Sequence, residues 1–358
     1  MKIAIVNTHF VDEIGGSQLQ CDIIADELQK RGYDVTYVAI DKKTEYERSY
    51  KVIGVKRESR SIASTLLSIK PDILYWRFNK KYFYKSVKSL SRRQTKIIFA
   101  VSNKRDIMAY NTRWQGPFSL SRLLRFMQKN LISRYNHFGF KFVDALTVNN
   151  EDQLHLLDTE IAIKRYIPNA VLSNKKEFSW EKPYVLWVAN IKKRKRPEIF
   201  VKLSERFKES GVDFLMIGKP SNDQYRWIIE SEQTPANLHY LGPKDVEVVN
   251  AALAKSLFLV TTSTPDEGFS NNIIQAWTQK KAVLAYEFDP EGMIREYNVG
   301  FVSDSNFEDL VNKTQQLIKD STLRDRLGKQ AYSLSREHFS TEKTVDKLES
   351  LIRVLSEM

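Results

Sequence analysis

The sequence predicts an α/β chain of two domains, each built on a parallel sheet with helices on both faces. Three observations predict it. Short apolar runs such as Lys2–Asn7 and Tyr184–Ala189 alternate with stretches of helical period, and strand–helix–strand alternation marks a parallel sheet covered on both sides. The alternation starts at the N-terminus and restarts after Lys182. The chain has 358 residues, 42% of them apolar, more than a single core usually serves.

In the first half, Lys2–Asn7 is a strand. Ser17–Lys30 is a helix because Leu19, Ile23, Ile24, Ala25 and Leu28 fall on one side. Gly32 ends it, and Asp34–Ile40 is the second strand. Ile73–Phe78, Lys96–Val101 and Ala145–Val148 read as further strands, with a helix over 119–135. In the second half, Tyr184–Ala189 is a strand. Pro197–Glu209 is a helix with proline in its first turn, where the missing N–H costs nothing. Asp213–Ile217 and Leu238–Leu241 are strands, Asp245–Ala254 a helix and Leu257–Val260 a strand. A helix over 270–280, a strand at Ala282–Tyr286 and helices at Phe307–Lys319 and 321–337 follow. The amphipathic stretch 341–356 comes after a break at His338–Ser340. The stretch PNAVLSNKKEFSWEK has no period. The expected domains are therefore 1–168 and 183–340, with 169–182 as linker and the terminal helix, 341–358, packing back on the first domain.

Composition excludes several function classes. The one cysteine, Cys21, allows no intrachain disulfide, and five scattered histidines have no ligand spacing. No Asp-x-Asp motif and no apolar run near 18 residues occurs. The first residues do not read as a secretory signal. The expectation is a soluble, cytoplasmic protein. Net charge is +12, and residues 76–141 carry 16 Lys and Arg against a single acid, Asp106. Such a field suits an anionic partner: nucleic acid, a phosphorylated substrate or a membrane surface.

Three stretches carry chemistry. Gly15-Gly16 lies between the first strand and first helix, where the backbone can approach a phosphate and helix N–H groups are free; an ordinary tight turn is the plainer reading. In VLWVANIKKRKRPEIF a strand runs into five cations at 192–196, suited to a diphosphate, although most charge runs are solvated loops. In PDEGFSNNIIQAW, Ser270 can cap a helix, with Glu267 just before it and Gln275 about one turn in. An acid beside a phosphate-binding helix start would repel the phosphate, so Glu267 makes sense against an uncharged group such as a sugar hydroxyl. A capped helix with a surface acid is the alternative.

Taken together, these stretches resemble the retaining, nucleotide-sugar-dependent glycosyltransferases of family 4, whose GT-B architecture sets two Rossmann-like parallel-sheet domains facing a central cleft. The resemblance runs nearly end to end. It takes in Gly15-Gly16, Asn149–Gln153, Ile167-Pro168-Asn169, Trp187–Asn190, Lys195–Glu198, Leu241-Gly242 and Glu267–Asn271 leading to Gln275-Ala276-Trp277. It implies that Glu267 is the first acid of the E-x7-E motif and holds sugar hydroxyls. Gln275 stands where the second acid binds ribose. Lys195 contacts the diphosphate, and Gly15 and Gly16 line the same phosphates. Gly218, Lys219 and Leu241 lie near the base. Asn190, Arg196, Gly268, Phe269, Ser270 and Asn271 complete the implied sugar-donor site.

Two positions depart from the family pattern. Gln275 replaces a glutamate, though an amide still bonds a ribose hydroxyl. Asn190 replaces an arginine, leaving Lys192, Lys193, Arg194 or Arg196 to substitute. On the acceptor side Ser102, Asn103 and Asp106 are candidates, with Asp106 the catalytic choice; His9 reads as structural. The catalytic set is thus Glu267, Lys195 and Asp106, with no metal. The resemblance implies retention of anomeric configuration and stabilisation of the leaving diphosphate by fixed cations and helix N-termini. It further implies no cofactor beyond a UDP- or GDP-linked sugar, a glycan or lipid-linked acceptor, and a role in bacterial surface polysaccharide or glycolipid synthesis. The 76–141 stretch fits an anionic membrane surface at the inner face of the plasma membrane. Within it, Leu120, Leu123, Leu124, Met127, Leu131 and Ile132 recur at helical spacing among cations, which suits either an interfacial helix or a core helix. The competing functions are a degenerate subunit that supports a partner transferase and a nucleotide-sugar epimerase. A nucleic-acid-binding protein ranks last, for want of any recognition module.

Overall fold

The computed structural model describes residues 1–13, 15–90, 94–102, 106, 119–150, 154, 161–172, 174–230, 234–265 and 269–358, the side chains of 229 and 230 excepted. They form two units, 1–170 with 341–358 and 171–340.

The first unit holds a seven-stranded sheet. Its elements are β1 (Lys2–Asn7), α1 (Gly16–Lys30), β2 (Asp34–Ile40), β3 (Lys51–Val55), α2 (Ser59–Ile69), β4 (Ile73–Trp76), α3 (Lys80–Val87), β5 (Lys96–Val101), α4 (Leu120–His137), β6 (Ala145–Val148) and β7 (Ile163–Tyr166). Strand order is β3-β2-β1-β4-β5-β6-β7, all parallel. The central strands are buried on both faces, which is why they read as continuous apolar runs. The order reverses between β1 and β4, the kind of switch point where ligands bind at strand carboxyl ends.

The second unit holds six parallel strands in the order β10-β9-β8-β11-β12-β13. Its elements are β8 (Tyr184–Val188), α5 (Pro197–Arg206), β9 (Asp213–Ile217), α6 (Trp227–Glu230), β10 (Leu238–Tyr240), α7 (Val246–Lys255), β11 (Leu259–Thr261), α8 (Asn271–Thr278), β12 (Val283–Ala285), α9 (Met293–Glu296), β13 (Gly300–Val302), α10 (Phe307–Lys319) and α11 (Ser321–His338). Here the switch falls between β8 and β11.

The aperiodic stretch after Ala170 is strapped to the second unit. Val171, Phe178 and Trp180 join its core. Asn250 Nδ2 donates to the carbonyls of Leu172 and Asn174, at 2.8 and 2.9 Å. The last helix, α12 (Thr341–Glu357), crosses back. Val345, Leu348, Leu351, Ile352 and Leu355 bury among Ile24, Leu28 and Val35 of the first unit. Arg31 fixes its register with Asp346 and Glu349, at 2.8 and 2.9 Å.

Helix α4 is not a core helix. Leu120, Leu124, Met127, Leu131 and Phe138 are 51–67% exposed, and spacings of three, four and seven put them along one side. Its buried positions are Ser133 and Asn136. The inner side packs on α3, with Tyr84 edge-on to Tyr135 at 5.0 Å.

Candidate functional site

The second unit's switch point is built by the two chain segments that leave β8 and β11. After β8, a turn of 3-10 helix at Lys193–Lys195 lifts Lys195 back over the sheet. Arg196, at φ 42, reverses the chain into α5. Lys195 is buried, and its Nζ donates to Ser263 Oγ and Ser270 Oγ, both at 3.2 Å. Ser263 follows β11, and Ser270 is the N-cap of α8. The ammonium is therefore held between a strand carboxyl end and a helix N-terminus, the pairing of features that receives an anion.

Ser270 differs from the expected cap. Its side chain makes no bond to the first turn of α8; the hydroxyl accepts from Lys195 Nζ instead. Arg196 is occupied as well. Its Nε and Nη2 donate to the carbonyls of Thr262 and Ser263 at 2.9 and 3.2 Å, it pairs with Glu287, and it lies over the Tyr286 ring. It rigidifies the loop that carries Ser263. Thr262 closes the frame, donating its hydroxyl to the Lys195 carbonyl and accepting from Trp187 Nε1. Sequence reasoning missed Thr262 and Ser263 as site residues; their trace was the hydroxyl run Thr261-Thr262-Ser263 at the end of an apolar strand.

Gln275 is buried on α8, and its Nε2 donates to Asn250 Oδ1 at 3.3 Å. Phe269 sits in the core against Trp277 and Phe339, a packing residue that anchors the start of α8. Asn271 and Leu241 are partly exposed, and Asn190 and Lys219 are exposed. Gly218 stands at φ +154, and a Cβ there would lie 1.7 Å from the Ala189 carbonyl oxygen. Its N–H donates to Gly242 and its carbonyl accepts from Tyr240, so the loops after β8, β9 and β10 are cinched together. Glu267 and Gly268 lie outside the described residues.

The first unit's switch point is a cavity of about 220 Å³ at the carboxyl ends of β1, β4 and β5. Gly15 caps α1 without a side-chain bond, and Gly16 is its first residue. Gly15 has an extended backbone (φ -164), so no left-handed turn demands glycine there. An added Cβ would meet the flexible end of Gln18. Asp106 lines this cavity and accepts from Ser102 N at 2.8 Å. Asn103 lies outside the described residues. Burial pushes the nearby Lys80 ammonium down to about 8, with the Asp106 charge opposing.

His9 is fully buried beside this cavity. Its Nδ1 accepts from Val11 N at 3.2 Å, its Nε2 meets Tyr50 Oη at 2.9 Å, and Asp22 lies 3.4 Å away. Stacking on Tyr46 at 4.3 Å completes a packed structural histidine. Burial would raise the Asp22 carboxyl, but hydrogen bonds from His9 and Tyr50 and the Arg48 charge outweigh it and hold it below the usual range.

Comparison with known proteins bears on both units. Residues 170–334 match the family described as glycosyl transferases group 1. A poly(ribitol-phosphate) alpha-N-acetylglucosaminyltransferase of Staphylococcus aureus (strain COL) is 24% identical over 178 residues. That match spans 48% of this chain but only 35% of the relative's length. Among solved structures, Anabaena Alr3699/HepE in complex with UDP and glucose superposes with a TM-score of 0.76 at 14% identity, covering 99% of each chain. Sucrose-phosphate synthase from Thermosynechococcus elongatus gives 0.75 at 14% identity, again covering 99% of each. The second unit thus matches the glycosyl transferases group 1 family over residues 170–334, and the whole chain has the GT-B fold of two Rossmann-like units.

Proposed function

We propose that the protein is a glycosyltransferase that takes a sugar from a nucleotide-sugar donor and passes it to a glycan or lipid-linked acceptor, with retention and without a metal. The carrying observation is the Lys195 ammonium fixed between Ser263 and the N-cap of α8. A cation so placed would meet the leaving diphosphate with little reorganisation, and such preorganised charge is commonly the largest catalytic term. The relative from Staphylococcus aureus and the HepE complex with UDP and glucose support a nucleotide-sugar substrate. In this reading Glu267 holds the sugar hydroxyls, and Gln275 serves the ribose. Lys195 neutralises the diphosphate, and Asp106 works on the acceptor side.

The test is calorimetric titration with UDP, GDP, ADP and their sugar conjugates, alongside Glu267→Ala. One sugar nucleotide and its bare diphosphate should bind, and Glu267→Ala should weaken only the sugar-bearing ligand. Turnover insensitive to EDTA would support metal independence. Absence of binding by every nucleotide at millimolar concentration would instead favour the degenerate partner subunit.

A second reading concerns location. The exposed stripe on α4 is interleaved with Arg122, Arg125, Lys129 and Arg134. Apolar side chains flanked by cations suit insertion into an anionic lipid surface. Among the described residues, no helix is long and apolar enough to cross a membrane. Flotation with phosphatidylglycerol vesicles should carry the protein up, whereas phosphatidylcholine vesicles should leave it behind.

A further inference from the structure

Each sheet has one switch point, and each switch point carries a buried cation. In the second unit it is Lys195. In the first it is Arg77, which the proposed chemistry has not used. Arg77 directly follows β4, is 9% exposed and lines the cavity at the carboxyl ends of β1 and β4. Its Nη2 donates to Asn169 Oδ1 at 2.9 Å, while its Nε is buried without a hydrogen-bond partner. Among the described residues no carboxylate lies within ion-pairing distance of it. A buried guanidinium left with an unmatched donor is costly, and an anion that completes its fork relieves the cost.

The rest of the cavity agrees. Ser17 and Gln18, from the first turn of the fifteen-residue α1, line it, so the helix N-terminus adds partial positive charge. Among the described residues the two acids on its wall, Glu13 and Asp106, are already matched. Glu13 lies 3.8 Å from Arg57, which also pairs with Asp41. Asp106 accepts from Ser102 N and acts on Lys80. Asn7, Asn79 and Ser102 supply neutral polar groups around them. What remains unbalanced is the positive charge of Arg77.

We propose that this cavity is a phosphate site for the acceptor, in which Arg77 and the first turn of α1 hold a phosphate ester of the acceptor molecule. The word acceptor rests on the transferase reading; the anion site itself does not. The same chemistry could be claimed by a phosphate of the sugar donor, so the experiment separates the two sources. The full chain is titrated with glycerol 3-phosphate and with inorganic phosphate, followed by phosphorus NMR, with and without saturating UDP or GDP. Both probes should bind saturably, and their affinity should stay within about twofold when the nucleotide is present. Arg77→Gln should weaken the probes by about tenfold or more, with Arg77→Lys between it and the parent. The same substitution should leave nucleotide affinity unchanged, and Lys195→Met should do the reverse.

Competition between probe and nucleotide, or an equal loss of both in Arg77→Gln, would give the site to the sugar donor and overturn the proposal. So would unchanged probe binding in Arg77→Gln, or no saturable probe binding at all. If Arg77→Gln fails to fold by circular dichroism, competition on the unmodified chain decides. If no nucleotide binds but the probe effect of Arg77 holds, the transferase reading falls and the anion site stands.

Discussion

Lys195→Met is the sharpest perturbation of the second unit's site. It keeps most of the side-chain volume and removes the ammonium that Ser263 and Ser270 hold at 3.2 Å each. A hydrogen bond to a charged group is worth about 1.5–3 kcal/mol, so diphosphate affinity should fall roughly 10- to 150-fold. Charge grows on the leaving oxygen during transfer, and loss of one preorganised donor typically costs about 2.7–4 kcal/mol of barrier, or about 10² to 10³ in turnover. Calorimetry with the diphosphate and initial rates with the sugar nucleotide measure the two losses separately. Ser263→Ala and Ser270→Ala should each cost only about 0.5–1.5 kcal/mol, because they act by aiming the lysine. On the Lys195→Met background the serine effects should vanish. If Lys195→Met binds the diphosphate within twofold of the parent, or the serine losses persist without the lysine, the ammonium does not perform this role.

Three further outcomes follow from the packing. Asp22→Asn should cost about 1–3 kcal/mol at pH 7, since the carboxylate takes bonds from Tyr50 and Arg48. Its folded pKa is depressed, so the stabilisation is present above the unfolded value near 4 and is lost as pH falls through the folded value. Chemical denaturation of both proteins should therefore converge at low pH. Gly218→Ala should cost at least about 3 kcal/mol, because the new Cβ would strike the Ala189 carbonyl at a backbone angle that L side chains rarely adopt; an unshifted melting temperature would refute that. Leu124→Lys with Leu131→Lys should leave stability within about 0.5 kcal/mol, as both side chains are exposed, while abolishing flotation with anionic vesicles.

The elements legible in the sequence are those whose burial is uniform. β1, β2, β5, β6 and β9 are buried almost throughout, and each appears as an unbroken apolar run with the observed bounds. The strands that escaped lie at sheet edges. β3 is KVIGV, half-exposed with a glycine inside, and β7 is IKRY, with two cations and no buried residue. Edge strands satisfy one side only and carry charge as protection, which erases the apolar signature. Short α3 holds two lysines in its first turn and three aromatics, too mixed for a period. The stripe on α4 is a different case, left open by the sequence between an interfacial helix and a core helix. Its period was plain, but period cannot tell which way an amphipathic face points, and here it points to solvent.

The same division explains the sites. The cation run 192–196 could be placed from sequence because a buried strand and a proline-started helix bound it, and the family resemblance picked Lys195 out of it. Its partners Ser263 and Ser270 lie 68 and 75 residues away, and only the sheet order brings β8 beside β11. Arg77 stood within a stretch of 16 cations and nothing local set it apart from the solvated ones. What distinguishes it is topological: β4 returns to the far side of β1, so the residue after its last strand position lands where two connections diverge. A cation at that point is enclosed by the α1 start and by Asn169, which the fold delivers from 92 residues away. The switch points are therefore where local reading of this chain ends and where the buried cations Lys195 and Arg77 sit.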